Sequence, residues 1–339
     1  MIDTQLEKAT KFKRKQRKTL KEITDPVSSH LSDFRTFYKD ALRTDVFVLD
    51  KIVQYLLKQK GKEIRPTLVF MSARLFGDVT NRSYVAATMI ELLHTATLIH
   101  DDVVDEANIR RGFLSINKVW KNKASVLLGD FLLSKGLLIA LDHDEFKLLK
   151  VLSRAVKSMS EGELRQFKAA RLFNMTEEYY FKVISEKTAS LIAACCECGA
   201  ISTSDDPKMH QKMYDIGMCV GIAFQIRDDL FDYGVDDVGK PRRNDIQERK
   251  VTLPLIKALD NVGLLEKTRI RYLMRKRNKK NDEIEEIVDF VHENGGIEYA
   301  RSVMNEYAEK AMESLSTLPE TEDRRAFKDL IQFIIKRKK

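Results

Sequence analysis

Two short runs restrict the possible folds of this chain more than any other feature: LIHDDVVDEANIRRG at residues 98–112 and AFQIRDDLFDYG at 223–234. Each places Asp-Asp-x-x-Asp at the end of a stretch whose apolar residues recur every three or four positions, the period of a helix packed along one side. Carboxylates are seldom buried unless they are paired or bind a metal. Each run is therefore either a solvated helix end or part of a cation site. Two such copies at the ends of apolar helices fit two solvated faces poorly. If the helices oppose each other, the carboxylates share one cavity, where their mutual repulsion is relieved by divalent cations.

The remaining sequence supplies the frame. Among 339 residues there are 14 glycines and six prolines, with no Pro/Gly/Ser-rich linker and no repeat. The spacing predicts long helices over Val85–Asp105, Lys123–Leu141, Phe146–Arg171, Glu177–Ser202 and Met209–Tyr233, separated by loops near Gly61, Gly77, Arg111, Asp205 and 234–244. Period-two alternation is missing. The expected architecture is one all-α domain over residues 1–339, with a basic N-terminal segment at about 1–25. Several of these helices are apolar around most of their circumference, which predicts central positions in a large bundle.

Net charge of +8 suits a polyanion, an anionic membrane surface or nucleic acid. Nucleic acid is disfavoured as a partner, because buried carboxylate clusters would repel its phosphates. Four cysteines are too few for a secreted disulfide scaffold, so a reducing, cytoplasmic setting is expected. Cys195, Cys196 and Cys198 read as small buried side chains. The N-terminus lacks the apolar core of a secretory signal, and no uninterrupted run of 18 or more apolar residues occurs, so no membrane span is expected. The basic run from Lys8 to Lys21 is either a solvated face or a peripheral membrane contact. The C-terminal AFKDLIQFIIKRKK either packs on the bundle or lies at an interface.

On an ideal helix Asp101 and Asp105 lie about 40° apart on adjacent turns, with His94 and Thr97 on the same stripe. Two carboxylates so placed can share a hard cation; oxygen ligands suit Mg²⁺, whereas zinc favours sulfur and imidazole. Asp228, Asp229 and Asp232 repeat the spacing, with Gln225 one turn before Asp229. Cationic and hydroxyl side chains follow in order: Lys62 and Arg65 before a helix, Arg110 and Arg111 after the first cluster, Lys187 with Thr188 in SEKTASL, Lys240 and Lys250 after the second. Any one cation could be a surface ion pair. As an ordered set they fit phosphate oxygens, which Arg meets with a planar fork and Lys with a point charge.

These motifs, from GKEIRP through ELLHTATLIHDDVVDEANIRRG, LLGDFLL, EGELRQ, EKTASL and GIAFQIRDDLFDYG to GKPRRNDIQERKVTLPL, closely resemble the trans-isoprenyl diphosphate synthases, in particular the octaprenyl and heptaprenyl type of long-chain enzyme. The resemblance runs from about Gly61 to Pro254. It implies an all-α bundle around a deep central cavity, usually a homodimer, that joins isopentenyl diphosphate to an allylic diphosphate with two to three Mg²⁺ ions. Asp101 and Asp105 would hold ions on the allylic diphosphate, with Asp102 in support. Asp228 would bind another, supported by Asp229 and Asp232. Lys62, Arg65, His94 and Arg111 would bind isopentenyl diphosphate, and Arg110, Lys187, Thr188, Gln225, Lys240 and Lys250 the allylic diphosphate. Ala96, where a bulky aromatic would stop growth early, implies a medium-to-long product, with Leu133, Gly136 or Leu137 as candidate floor residues. A short-chain farnesyl or geranylgeranyl synthase and a non-catalytic subunit are the alternatives. Departures from the family pattern are Lys60 and Glu63 near the first Gly-Lys, and Arg243 and Arg249 where glycine is frequent.

Overall fold

The computed structural model describes residues 18–59, 61–110, 112–172, 175–235 and 243–336. Arg111 and Lys240, and most of the basic run from Lys8 to Lys21, lie outside these. The described residues are helical apart from loops and one short hairpin.

Four helices lead into the first aspartate cluster: α1 (Leu20–Thr24), α2 (Ser28–Ala41), α3 (Phe47–Lys58) and α4 (Ile64–Arg74). The cluster ends α5 (Asn81–Val104). A hairpin follows, β1 (Ile109–Arg110) pairing antiparallel with β2 (Phe113–Leu114). Period-two alternation does not mark a strand here; Gly112, at φ 81°, takes the left-handed conformation just before β2. Next come α6 (Ile116–Asp142), α7 (Phe146–Leu172) and α8 (Glu177–Ile184). The expected helix over Glu177–Ser202 is divided by a π-helical segment, Ser185–Ala189, before α9 (Ser190–Thr203). The second cluster ends α10 (Pro207–Asp232), which Asp206 caps by accepting the Lys208 amide at 2.8 Å. The chain closes with α11 (Asn244–Gln247), α12 (Leu253–Asp260), α13 (Leu264–Arg275), α14 (Asn281–Glu293), α15 (Gly296–Ser316) and α16 (Glu322–Lys336).

Helix α9 is the centre of the bundle. Every residue from Ser190 to Ser202 is buried, and it packs on α10, α4, α5 and α7. Cys195, Cys196 and Cys198 belong to this buried helix and are free thiols. The C-terminal stripe of Phe327, Leu330, Ile331, Ile334 and Ile335 is buried as well, so α16 packs on the bundle rather than lying at an interface.

Helix α6 departs from the central position its apolar composition predicts. Lys121, at φ 71° and ψ 164°, breaks it near its start. Its inner stripe of Leu128, Leu132, Gly136 and Ala140 packs on α5, while Val126, Leu127, Leu137, Leu138 and Leu141 are exposed. Among the described residues it is the one helix long and apolar enough to cross a bilayer by length and composition. Asp130 and Lys135 interrupt the run, and its packing on α5 accounts for the inner half of that apolarity.

Candidate active site

Successive residues on a helix point about 100° apart, and this separates the members of each cluster. Asp101 is partly buried and Asp105 is exposed at the helix end. Asp102, 4% exposed, turns another way: its Oδ1 accepts from Arg110 Nε at 2.7 Å and Nη2 at 2.6 Å. Its backbone oxygen takes the Asn117 side-chain amide at 3.0 Å. Asp102 thus ties the hairpin to α5 and is set apart from Asp101 and Asp105.

Across from Asp101 and Asp105 stands Glu163 of α7, ion-paired with Lys187. Burial first, then the Glu163 charge, push the Asp101 carboxyl up to about 6, against the pull of Lys187. Asp105 reaches solvent on one side, and the partial burial of its other side, with Glu163, raises its pKa against Lys250 and Lys187. The first cluster is therefore an electrostatically unsatisfied anion site, facing two lysines from other parts of the chain.

The second cluster is deeper and more tightly held. Asp229, 3% exposed, accepts from Tyr180 Oη at 2.6 Å and from Gln225 Nε2 at 2.8 Å. Gln225 Oε1 in turn accepts from Thr188 Oγ1 at 2.8 Å. Burial, followed by Asp245, drives the Asp229 pKa far up despite these donors. Asp232 accepts the backbone amide of Asp245 at 2.5 Å; burial and the Asp245 charge raise its pKa to about 6. Lys250 pairs with Asp245 at 3.3 Å and Glu248 at 2.6 Å. Burial works against its charge, but these carboxylates hold its pKa above the ordinary lysine value. Asp228 is partly buried on the neighbouring stripe.

The π-helical segment presents Lys187 and Thr188 to this site. π-bulges place side chains off the ordinary helical register and recur at functional sites. Close packing holds it there: a Cβ on Gly162 would come within 2.6 Å of the Lys187 amide nitrogen, so only glycine lets α7 approach the bulge. Arg165 fixes the same contact by donating to Glu186 at 2.8 Å.

Lys187, Thr188, Gln225, Asp229, Asp245 and Lys250 line one cavity of about 250 Å³. Four of the six residues assigned to the allylic diphosphate thus meet there. Arg110 does not; it lines a separate cavity of about 570 Å³ together with Asp102, Glu63 and Arg35. Lys240 lies outside the described residues. Of the isopentenyl diphosphate set, Lys62 is exposed just before α4, Arg65 is partly buried in its first turn and His94 is buried on α5; Arg111 is outside the described residues. Glu63 occupies the left-handed region at φ 50° and receives Arg35 through two bonds of 2.9 and 2.7 Å.

A third cavity, about 330 Å³, is almost wholly apolar and lies between α5, α6 and α7. Leu93 and Met89 of α5 line it, about 12 and 18 Å along the helix from Asp101 at 1.5 Å per residue. Leu133, Gly136 and Leu137 line its α6 wall. Ala96 is fully buried against Leu92, Leu128 and Leu132 beside this cavity.

Carboxylate oxygens suit a hard divalent cation, and burial first, then neighbouring carboxylates, raise the pKa of Asp101, Asp229 and Asp232. The six aspartates do not form one ready cage: among the described residues no three Asp, Glu, His or Cys side chains are gathered closely enough to hold an ion. Glu163, Tyr180 and Asp245 were not identified as site residues from sequence. Glu163 lay in the EGELRQ motif without a role. Asp245 likewise lay in the GKPRRNDIQERKVTLPL motif without a role, and Tyr180 carries no local signal, because its partner is 49 residues away.

The family model for polyprenyl synthetase matches residues 46–291. The chain is 33% identical over 320 residues to octaprenyl diphosphate synthase of Escherichia coli K12, covering 94% of this chain and 99% of that protein. It is 33% identical over 304 residues to heptaprenyl diphosphate synthase component 2 of Bacillus subtilis, covering 88% and 86%. Its fold is similar to the crystal structure of a decaprenyl diphosphate synthase from Rhodobacter capsulatus, with TM-score 0.88, 30% identity and coverage of 94% and 98%.

Proposed function

This chain belongs to the polyprenyl synthetase family, and from that premise we propose that two prenyl diphosphates meet between the aspartate clusters while the growing tail enters the apolar cavity. The enzyme is a long-chain trans-prenyltransferase: it condenses isopentenyl diphosphate head to tail onto an allylic diphosphate, giving an all-trans polyprenyl diphosphate of the kind used for quinone side chains. The observation that carries our reading is that Lys187 and Lys250, which line one cavity, lie near enough to Asp101 and Asp105 at the end of α5 to act on their charge, while an apolar cavity opens two to three turns back along that helix.

We assign Asp101 and Asp105, with Asp228, to two or three Mg²⁺ ions, and Asp229 and Asp232 to supporting them. Asp102 instead supports the site through Arg110. Cations held there would supply positive charge to offset the negative charge that builds on the diphosphate leaving group as the allylic C–O bond breaks. Lys187 and Lys250 supply point charges to the same diphosphate, and Thr188 and Gln225 orient it. Arg110 contributes by exchanging Asp102 for phosphate oxygen, and Lys240 joins this set. Lys62, Arg65, His94 and Arg111 hold isopentenyl diphosphate so that its alkene faces the allylic carbon. Leucine walls keep water from the electron-deficient carbon. No side-chain base is needed if the released diphosphate takes the proton.

Residues 1–339 act as one synthase domain, in our reading a cytoplasmic homodimer. The exposed apolar stripe of α6, extended by Ile109, Phe113 and Leu114 of the hairpin, is the surface a second copy would cover. Similarity to component 2 of the Bacillus heptaprenyl synthase favours a second reading, in which the partner is a different chain.

Purified protein with Mg²⁺, farnesyl diphosphate and labelled isopentenyl diphosphate should form elongated prenyl diphosphates. No incorporation by the folded protein alone, with activity restored by a second chain, would establish the heteromeric reading. Chromatography of the products fixes chain length, and Ala96→Tyr should shorten them. Products no longer than geranylgeranyl from the unaltered protein would refute the long-chain assignment.

A further inference from the structure

Helix α13 and the residues after it, LLEKTRIRYLMRKRNKK at 264–280, carry eight Lys or Arg and a single acid, Glu266. The inner face is ordinary packing: Ile270, Leu273 and Met274 are buried, and the helix contacts α12 and α14. The outer face is not. Leu264 and Leu265 are 78% and 90% exposed, and Tyr272 is 63% exposed. At 100° per residue these three share the outward side with Thr268, Arg271 and Arg275. Three cations of the stretch have acidic partners: Lys267 with Asp260 at 3.1 Å, Arg269 with Glu286 at 2.8 Å, and Lys276 with Glu283. Arg271 and Arg277 are exposed, and among the described residues neither forms an ion pair with a carboxylate.

We infer that this face is a docking surface for a bilayer containing anionic phospholipid. Cations around exposed leucines and a tyrosine are the composition of an interfacial helix, whose apolar side chains enter the headgroup boundary while its charges meet lipid phosphate. A nucleic-acid surface would use the cations but leave Leu264 and Leu265 without a role. The position also suits the chemistry. Lys279, 7% exposed, donates to the Lys276 carbonyl at 3.0 Å and lies close enough to Arg249 to feel its charge. The basic stretch therefore adjoins the loop that contributes Lys250, Val251 and Thr252 to the polar cavity. Docking there sets the loop that carries Lys250 near the headgroups. The surface itself does not depend on which residues hold the substrates.

Cosedimentation of the full chain with vesicles tests this. The protein should bind phosphatidylcholine vesicles mixed with phosphatidylglycerol, bind pure phosphatidylcholine far less, and release as salt rises. Arg271→Glu with Arg277→Glu should weaken binding about 25-fold, taking roughly fivefold per lost cation. Leu264→Glu with Leu265→Glu should weaken it at least about tenfold. Both variants should retain full turnover with a water-soluble starter, since neither touches the site. The inference is overturned if the chain ignores anionic vesicles. It is equally overturned if both variants bind them as the unaltered protein does, which would place the attraction in another basic segment. Duplex DNA binding lost in the arginine variant, in a chain that ignores vesicles, would make the face a nucleic-acid surface instead.

Discussion

In the first aspartate cluster Asp105 ends α5 in the open, Asp101 faces Glu163 and Lys187, and Asp102 turns away to Arg110. In the second, Asp229 is enclosed by Tyr180 and Gln225, and Asp232 is fixed to the Asp245 amide. The spacing of the two is identical, so spacing does not set their character. It sets only which carboxylates share a stripe; the neighbours on other helices decide which are held and which are left to attract ligand. The second cluster is built into the core before anything binds. The first is completed only by cations, mobile or protein-borne, that come from across the cavity.

The largest effect that could break this comparison is in the first cluster. Asp101→Asn should lower turnover at least about 10³-fold, because charge opposite the leaving group is lost, while thermal unfolding changes little or rises. Asp102→Asn should show the reverse balance. It leaves Arg110 with a weakened partner, costing about 1–2 kcal/mol of stability, with a smaller loss of turnover. Equal activity losses in the two variants would mean that Asp102 is a direct ligand and the separation by stripe has no functional meaning.

Tyr180→Phe probes the second cluster through its support. Losing one of the two side-chain donors to Asp229 should cut turnover about tenfold and, because Asp229 is buried, raise its pKa further. Unchanged turnover across the pH range would show that the prebuilt hydrogen bonds do not tune the site.

Both clusters titrate, and the sign can be worked out. Asp101 and Asp232 stand near 6 when folded, against an ordinary 3.8. Between those values the folded protein binds more protons than the unfolded chain, so metal-free stability falls as pH rises through that window and the penalty is complete above about 6. Cations need the deprotonated form. Scanning calorimetry from about pH 5 to about 7.5 should therefore show the metal-free melting temperature falling and the gain on adding Mg²⁺ growing. A gain independent of pH would remove these carboxylates from the cation site.

Much of this was legible in the chain. Apolar spacing located α5, α7 and α10 to within a few residues, and the two clusters with Lys187, Thr188, Gln225 and Lys250 were apparent as an ordered set. What was not legible depends on contacts across the fold. The division at Ser185–Ala189 arises where Gly162 admits the bulge, and nothing in SEKTA itself signals it. The pairing of Asp102 with Arg110 was not legible either, because spacing does not show which way Asp102 points. The outer stripe of α6 read as core because composition does not reveal which side of a helix has neighbours.

The smallest effect lies in the backbone beyond each cluster, where the chain must turn out of its helix. After the first, Glu106 at φ 52° and Gly112 at φ 81° share the task. After the second, Arg243 at φ 53° and Arg249 at φ 63° take left-handed conformations. A residue with a Cβ pays about 1–2 kcal/mol there, while glycine loses about 0.5–1 kcal/mol more chain entropy on folding. For Arg243 an ion pair with Glu285 offsets part of the strain. Arg249 instead adds repulsion to nearly buried Lys279, whose pKa falls to about 8 chiefly through burial and then through Arg249. Arg249→Gly should therefore stabilise the protein by up to about 1 kcal/mol, whereas Arg243→Gly should come out near neutral. Chemical denaturation of the two variants measures the difference. If Arg249→Gly is the less stable, its side chain holds the Lys250 loop in place, and the second cluster extends its prebuilt character into the backbone that follows it.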